Sequence, residues 1–453
     1  MKTSLIIITV ALLAGLVGLV VLGTRQDEPV AASASDTPTA ATPPASPRST
    51  APSEEAHPGF LYGRITTTEG STYEGRLRWG DDAEAFWGDY FNGAKKENRW
   101  TALVAPERLP KEVHSIEILG FEIVHRERPS NLSRLFMARF GDIARIESHG
   151  RDVRVTLKSG TVIVLDRFGA SDFDDGVRVW DGRRGFVKLD SLRIRTIELL
   201  PIPSPGAAPY RLQGTVRTRQ GDFTGFIQWD RKECIGTDEL AGHTADGKLS
   251  TLRFDAIRSI ERNASDGSLV TLRDGRKIVL SDSREASDGN RGIYVDDRRY
   301  GRVLISWNAF ERVDFSPGGS GPAYSEFPVG RPLTGSVTTR TGSRLTGRLV
   351  YDLDESETTE TLDAPSQGVD YTIPFGLIAS IVLPREGDTQ RARVIFHGGE
   401  ELQLDRTGDL GDRNGGLLVF VGGQERPKYV PWAEVEQVDL DRPPAMYPPG
   451  GGR

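Results

Sequence analysis

Residues 212–229 read LQGTVRTRQGDFTGFIQW and contain the pattern that decides the fold. Apolar and polar residues alternate on both sides of Gly221, which is typical of two short strands joined by a tight turn. Residues 269–280 read LVTLRDGRKIVL, in which Asp274-Gly275 is a dipeptide typical of hairpin turns. No long stretch of this region carries apolar residues at the 3.6-residue spacing of a helix. The sequence therefore predicts an all-β protein.

The same pattern occurs three times along the chain. Each copy has a glycine in its first strand, a glycine in the next strand and a later Phe-x-x-Ile-x-x-Ile ending. The matching positions are Gly63, Gly214 and Gly335, then Gly75, Gly225 and Gly347, then Phe140, Phe254 and Phe375. Phe140 follows Gly75 by 65 positions in the first copy, whereas Phe254 follows Gly225 by 29 positions in the second, an excess of 36. The first copy therefore contains an insertion, at about residues 82–130.

Each copy divides into two halves of about 50 residues that end in an aromatic-x-x-apolar-x-x-apolar pattern, with Ser191 in place of the aromatic residue at the end of the first copy. This ending resembles the strand, single 3-10 turn and final strand of SH3-like and Sm-like small β-barrels. The resemblance implies three tandem repeats, each built from two barrel halves, and it supplies no functional residues to transfer. A domain this small buries only about 60% of its unfolded surface, so the two halves are expected to pack together. One β-sandwich per repeat has the same strand count and is the alternative.

The N-terminal segment predicts a membrane anchor. Leu5 to Gly23 is uncharged, and at 1.5 Å per residue it would span about 28 Å, close to the ~30 Å hydrocarbon core. We expect residues 1–23 to be an uncleaved, single-pass transmembrane anchor in the cytoplasmic (inner) membrane, because a cleaved signal has a shorter apolar region. The flanking charges place the repeats on the extracytoplasmic side. The alternative is secretion after signal cleavage, for which residues 32–34 (Ala-Ser-Ala) offer a site.

Composition sets the other boundaries. Residues 24–58 consist mainly of Ala, Pro, Ser and Thr and predict a disordered linker, since they cannot bury enough apolar surface to fold. We place the three β repeats at 59–200, 210–316 and 331–440, followed by a disordered tail at 441–453.

Composition also excludes several classes of protein. The chain has 453 residues with 57 Lys+Arg and 64 Asp+Glu, a net charge of -7. Nucleic acid is therefore not an expected partner, because phosphate neutralisation needs an excess of Lys and Arg. The single cysteine, Cys234, excludes an intramolecular disulfide and a zinc site built on several thiolates. Since no nucleophile elbow, phosphate loop or dinucleotide fingerprint occurs, we predict no catalytic residue and no cofactor, which favours a non-enzymatic role.

An Asp-x-Asp or Asp-x-Asn motif, followed by glycine, recurs at one offset in the three copies. Its candidate metal ligands are Asp172, Asp174, Asp288, Asn290, Asp412 and Asn414. Oxygen atoms at positions i and i+2 could bind Ca²⁺, although the bidentate glutamate of a calcium loop is missing. The interpretation that we favour is an Asx turn leading into a strand.

Aromatic residues in the insertion form a second candidate site. They have no counterpart in the other copies and are Phe86, Trp87, Tyr90, Phe91 and Trp100. Large loops on β scaffolds often carry binding function, and aromatic anchors supply much of the energy of interfaces. We therefore expect the insertion to contact an envelope protein or glycan, with a structural cover over the first repeat as the alternative. Tryptophans at repeated strand positions are instead expected in the core; they are Trp79, Trp229, Trp307 and Trp432.

These features predict a membrane-anchored extracytoplasmic β-repeat protein with a binding or scaffolding role in the cell envelope. The membrane is its predicted partner through residues 5–23. One alternative is an envelope glycan-binding or hydrolytic protein. Another is an Sm-like RNA-binding protein, which the acidic charge and the export segment oppose.

Overall fold

A computed structural model describes much of the chain. The described residues are 58–80, 84–109, 111–118, 121–129, 135–203, 210–263, 266–319, 321–385, 391–422 and 424–444. The all-β prediction is confirmed, because 53% of the structure is strand and one short α-helix, Ser171–Asp174, occurs in the described part. The predicted anchor, the linker before Pro58 and the tail beyond Pro444 lie outside these residues.

The described part of the first copy contains twelve strands. In chain order they are β1 (Tyr62–Thr67), β2 (Thr72–Trp79), β3 (Tyr90–Ala94), β4 (Lys111–Ile118), β5 (Phe121–Pro129), β6 (Leu135–Arg139), β7 (Ile143–His149), β8 (Asp152–Leu157), β9 (Val162–Asp166), β10 (Val177–Asp181), β11 (Gly185–Leu189) and β12 (Ile194–Leu199). Eight of them form the first sheet, in the order β11-β10-β2-β1-β12-β7-β8-β9. In the insertion, β4 and β5 form a separate two-stranded sheet, and β3 pairs with β6, which follows the insertion.

The second copy contributes the next strands. They are β13 (Gln213–Thr218), β14 (Gly221–Gln228), β15 (Glu239–His243), β16 (Leu249–Arg253), β17 (Ile257–Arg262), β18 (Gly267–Leu272), β19 (Lys277–Ser281), β20 (Ile293–Asp297), β21 (Gly301–Ile305) and β22 (Phe310–Ser316).

The third copy contributes the last strands. They are β23 (Thr334–Thr339), β24 (Arg344–Val350), β25 (Thr361–Ser366), β26 (Val369–Pro374), β27 (Ile378–Val382), β28 (Arg391–Phe396), β29 (Glu401–Asp405), β30 (Leu417–Val421), β31 (Lys428–Val430) and β32 (Val435–Leu440).

Short 3-10 turns occur in all three copies and lie at Thr101–Leu103, Pro106–Arg108, Phe140–Asp142, Arg167–Gly169, Ser191–Arg193, Phe254–Ala256, Arg284–Ala286, Tyr324–Glu326, Phe375–Leu377, Gly408–Leu410 and Trp432–Glu434.

One order of eight strands appears in all three large sheets. The second sheet runs β16-β15-β19-β18-β17-β22-β13-β14-β20-β21-β26-β25, and the third runs β29-β28-β27-β32-β23-β24-β30-β31. The second sheet has two added hairpins, β15–β16 and β25–β26. Its other eight strands, read from β21 to β19, follow the order of the first sheet, and the third sheet follows the same order when it is read from β31 to β29. In each copy the first strand pairs with the last, as β1 with β12, β13 with β22 and β23 with β32. The pairing register shifts at matching places in these pairs, which are Thr66/Thr67, Arg217/Thr218 and Thr338/Thr339. This agreement supports the three-repeat prediction.

No sheet in the described part closes into a barrel, so the predicted SH3-like and Sm-like barrel halves are not observed. The reason is visible at β22, which pairs with β13 on one side and with β17 on the other. Strands from both halves of the second copy therefore share one continuous sheet instead of each half closing on itself.

The repeated glycines lie where two strands approach closely. Their pairings are Gly63 with Gly75, Gly214 with Gly225 and Gly335 with Gly347. A Cβ atom on Gly75 would overlap the carbonyl oxygen of Trp180, and one on Gly225 would overlap that of Asp296. The sequence signature therefore reflects a steric requirement of the backbone.

The recurring strand aromatics are buried, as the sequence predicted. Trp79, Trp229 and Tyr351 are each at most 1% exposed. Their polar atoms donate hydrogen bonds to matching backbone oxygens, with Trp79 Nε1 2.7 Å from Asp172 O and Trp229 Nε1 2.8 Å from Glu285 O. These bonds satisfy the one polar group of each ring inside the core.

Candidate binding site

The structure places most of the predicted aromatic contact residues in the interior. Phe86, Trp87, Tyr90 and Phe91 are at most 4% exposed, so their rings have no face available to a partner. Trp100 is partly exposed. Because the other four are buried, the predicted contact through these aromatics stays a prediction for Trp100 alone.

Asp89, within this aromatic cluster, joins the first copy to the second. Its Oδ2 accepts hydrogen bonds from the backbone N–H groups of Ala85 (2.8 Å) and Phe86 (3.0 Å), which hold the turn. Its Oδ1 accepts a hydrogen bond from Arg302 Nη2 at 2.7 Å and lies 3.9 Å from Arg211 Nη2. The insertion is thus tied to β21 and to the segment before β13.

Asp296 completes a buried network of two acids and two arginines. It accepts hydrogen bonds from Arg211 at 2.7 Å and from Arg302 at 3.1 Å. The guanidinium of Arg211 also lies 4.4 Å from the ring centre of Phe86 and 4.6 Å from that of Phe226. Because the charges balance and the arginines are stacked between rings, the network can remain desolvated.

Lys95 and Trp100 join the first copy to the third. Lys95 Nζ lies 2.7 Å from Asp354 Oδ1 and 3.5 Å from Glu360 Oε1. The Trp100 ring packs edge-on against Phe420 at 6.3 Å, and Arg99 stacks over Trp100 at 4.4 Å. The segment from residue 84 to 109 therefore contacts both other copies.

The segment between the second and third copies also packs on the first. The Tyr324 ring lies 4.5 Å from that of Trp87, and Tyr324 Oη donates a hydrogen bond to Ile143 O at 2.7 Å. Lys158 Nζ donates to Tyr324 O at 2.6 Å. These contacts hold the three copies together from a second side.

A cavity of about 320 Å³ lies at the junction of the first and third copies. Its wall includes Lys95, Trp100, Asp354 and Glu357. Glu357 Oε1 accepts hydrogen bonds from Ser159 Oγ at 3.1 Å and from the Thr161 hydroxyl. Since cavities with a few convergent polar groups are the usual place for ligands, this cavity is the candidate binding site.

Buried acids determine the electrostatics beside this cavity. Burial raises the pKa of Asp354, and burial together with the carboxylate of Asp354 raises the pKa of Glu355 well above its usual range. Burial alone would lower the pKa of Lys95, but the carboxylates of Glu360 and Asp354 raise it overall. Burial therefore favours the protonated form of Glu355, and the neighbouring carboxylates favour the charged form of Lys95. In its protonated form, the carboxyl group of Glu355 can donate a hydrogen bond to Asp354.

Five of the six candidate metal ligands instead make hydrogen bonds or ion pairs within the chain. Asn290 Oδ1 accepts from Gly292 N at 2.8 Å, and Asn414 Oδ1 accepts from Gly416 N at 2.8 Å, which is Asx-turn geometry. Asp172 Oδ2 accepts from the backbone of Asn92 at 2.6 Å. Ser191 donates a hydrogen bond to Asp174 at 3.4 Å, and Arg406 donates one to Asp412 at 2.7 Å. Asp288 is exposed. Across the described ranges, no group of three or more His, Cys, Asp or Glu residues could hold a metal ion.

Sequence reasoning missed the acids of the cavity wall, although a signal was present. Residues 352–360 read DLDESETTE, a run with five acidic residues and no basic residue. Lys95-Lys96 in the insertion carries the opposite charge. These complementary charges could have suggested the contact.

No protein-family model, curated protein or solved structure matches the chain. Among the residues that the structure describes, no helix is long and apolar enough to cross a membrane. The apolar run at 5–23 lies outside those residues.

We predict that the protein loses stability as pH rises from about 4.3, the usual pKa of glutamate, to about 8. Burial, with the nearby Asp89, raises the pKa of Glu84 to about 8, and burial, with Glu285, raises that of Glu233 to about 8. The folded state then holds protons that the unfolded state has released, so their stabilisation is complete below pH 4.3 and is lost as pH rises through 8.

Each of these two groups contributes a slope of up to about 1.4 kcal/mol per pH unit in that window. Urea unfolding between pH 5 and 9 measures the slope. The variants Glu84→Gln and Glu233→Gln should each flatten it, whereas the exposed control Glu401→Gln should not. An unchanged slope in both variants would contradict the prediction.

Proposed function

We propose that the protein is anchored in the cytoplasmic membrane by residues 5–23 and has a binding or scaffolding role on the extracytoplasmic side. In this proposal three copies of one β unit, at 59–200, 210–316 and 331–440, act as a single rigid body. The linker at 24–58 holds that body away from the bilayer.

The observation that supports the scaffolding role is that side chains of the insertion form buried contacts with the other two copies. Asp89 contacts Arg302 of the second copy, and Lys95 contacts Asp354 of the third. Independent modules on a string would have no need of buried ion pairs between them. Their presence supports a body that presents its surfaces in fixed relative positions.

The burial of the aromatic residues favours scaffolding over glycan binding. Trp79, Trp229, Trp307 and Trp432 are at most 6% exposed, so they cannot stack on sugar rings. The cavity at the first–third junction, with Trp100 in its wall, is the best candidate for a bound ligand or partner side chain.

Fractionation and surface proteolysis test this proposal together. The full chain should be recovered with membranes, and a chain that starts at His57 should not. Protease added to intact cells should cut within 24–58 and release one fragment that contains all three copies. Recovery of both chains from the cytosol would overturn the location, and release of single copies would overturn the rigid body.

A further inference from the structure

Strand β11 forms an exposed end of the first sheet. Among the described residues it pairs with β10 alone, so its other edge carries no strand. Phe186 is 57% exposed, Lys188 is exposed and Val187 is only partly buried. Exposed edges with apolar side chains are templates for pairing with another chain.

The second sheet shows which kind of strand can pair with the corresponding sheet edge. Strand β21 corresponds to β11, because each pairs with the strand just before it and occupies the same place in the eight-strand order. There β26 adds to the edge as an antiparallel strand, with Val303 opposite Tyr371. Val303 is 0% exposed and Arg302 is 7% exposed under this cover. At the corresponding positions of β11, Phe186 is exposed and Val187 is partly buried.

The chain's own candidate for covering β11 is unsuited to it. Strand β16 corresponds to β26, since each ends directly before the Phe-x-x-Ile signature. Ser250 of β16 stands where β26 has Tyr371, whose ring packs 6.1 Å from Phe223 and 6.2 Å from Tyr300. Without that aromatic side chain β16 lacks these ring contacts, and among the described strands it pairs with β15 alone.

We propose that two molecules of this protein pair through β11, antiparallel and around a two-fold axis at Val187. In this register Phe186 lies opposite the partner's Lys188, and the turn residue Arg184 lies near the partner's Asp190, which follows β11. Ammonium groups are attracted to aromatic faces and opposite charges attract each other, so both contacts are favourable. The segment is therefore complementary to itself, which a two-fold interface requires.

The backbone geometry agrees with this register. In the second sheet, Ser306 N donates to Gly368 O at 3.0 Å across the edge of β21, so alternate residues from Arg302 onward direct their peptide groups outward. The corresponding residues of β11 include Phe186 and Lys188. A two-fold axis at Val187 sets these outward groups opposite one another, so that hydrogen bonds can form on both sides of the axis.

A single cysteine tests the pairing. Cys234, the natural thiol, is buried, so Val187→Cys adds the accessible one. Directly opposite residues that are not hydrogen-bonded have Cβ atoms about 4.5–5.5 Å apart, close enough for a disulfide after small adjustment. Under mild oxidation the full-length variant, in membranes and in detergent, should form a disulfide dimer. The control Val279→Cys, on a partly exposed strand position elsewhere, should remain monomeric.

Charge reversal adds a second readout. Arg184→Asp in the Val187→Cys background should lower the dimer yield at least fivefold, because it places two acids opposite each other, and adding Asp190→Arg should restore it. Thermal unfolding of each variant controls for folding. Equal cross-linking of Val187→Cys and Val279→Cys would overturn the proposal. So would insensitivity to charge reversal or a disulfide to a different protein. The measurement in detergent is independent of where the protein resides in the cell.

Discussion

Replacing Asp89 with alanine is expected to lower the free energy of unfolding by about 3–5 kcal/mol, the cost of breaking a buried ion pair. Asp89 is 0% exposed and faces Arg302 at 2.7 Å. Its loss would leave one positive charge of the Arg211–Asp296–Arg302 cluster uncompensated in the interior. It would also leave the backbone N–H groups of Ala85 and Phe86 without their acceptor, which adds to the cost.

Urea unfolding of purified Asp89→Ala, followed by tryptophan fluorescence, measures this effect. The matched control is Asp412→Ala, since the Asp412 side chain is 90% exposed and its ion pair with Arg406 lies at the surface. The control should change stability by no more than about 0.5 kcal/mol. A similar loss in the two variants would mean that the network does not stabilise the junction between the first and second copies.

Local patterns in the sequence were sufficient to predict the strands. The alternation around Gly221 corresponds to β13 and β14, and the Asp274-Gly275 turn joins β18 to β19. Both features depend on residues within one hairpin, where side-chain period and turn chemistry act directly.

The barrel prediction failed because closure depends on partners distant in sequence. The pairing of β22 with both β13 and β17 determines whether the halves close separately or merge. No turn residue determines whether the two halves close separately or merge into one sheet. A resemblance of the endings alone could not distinguish the two outcomes.

The candidate site was predictable only in part for the same reason. The aromatic cluster was recognisable in the sequence, but its burial depends on packing within the first copy and against other segments of the chain. Lys95 and Asp354 are 259 residues apart, and one sequence contains no measure of their proximity. Periodicity identifies which residues are apolar on a face, whereas the surface that covers that face is a property of the tertiary structure.

Replacing Gly225 with alanine is expected to destabilise the second copy by about 3 kcal/mol, at the upper end of the usual cost of overpacking. The added Cβ would overlap the carbonyl oxygen of Asp296. That oxygen belongs to β20, which pairs with β14 on one side and β21 on the other, so it cannot move away without loss of strand pairing. A flexible side chain could yield at this place, but a backbone held between two strands cannot.

The matched control is Gly182→Ala in the turn between β10 and β11. Nothing lies within 4 Å of a Cβ at that position, so stability should change by less than about 0.5 kcal/mol. Urea unfolding of both variants gives the comparison. If Gly225→Ala is as stable as Gly182→Ala, the strands can separate to admit a methyl group. The recurrence of Gly75, Gly225 and Gly347 would then need an explanation other than close backbone approach.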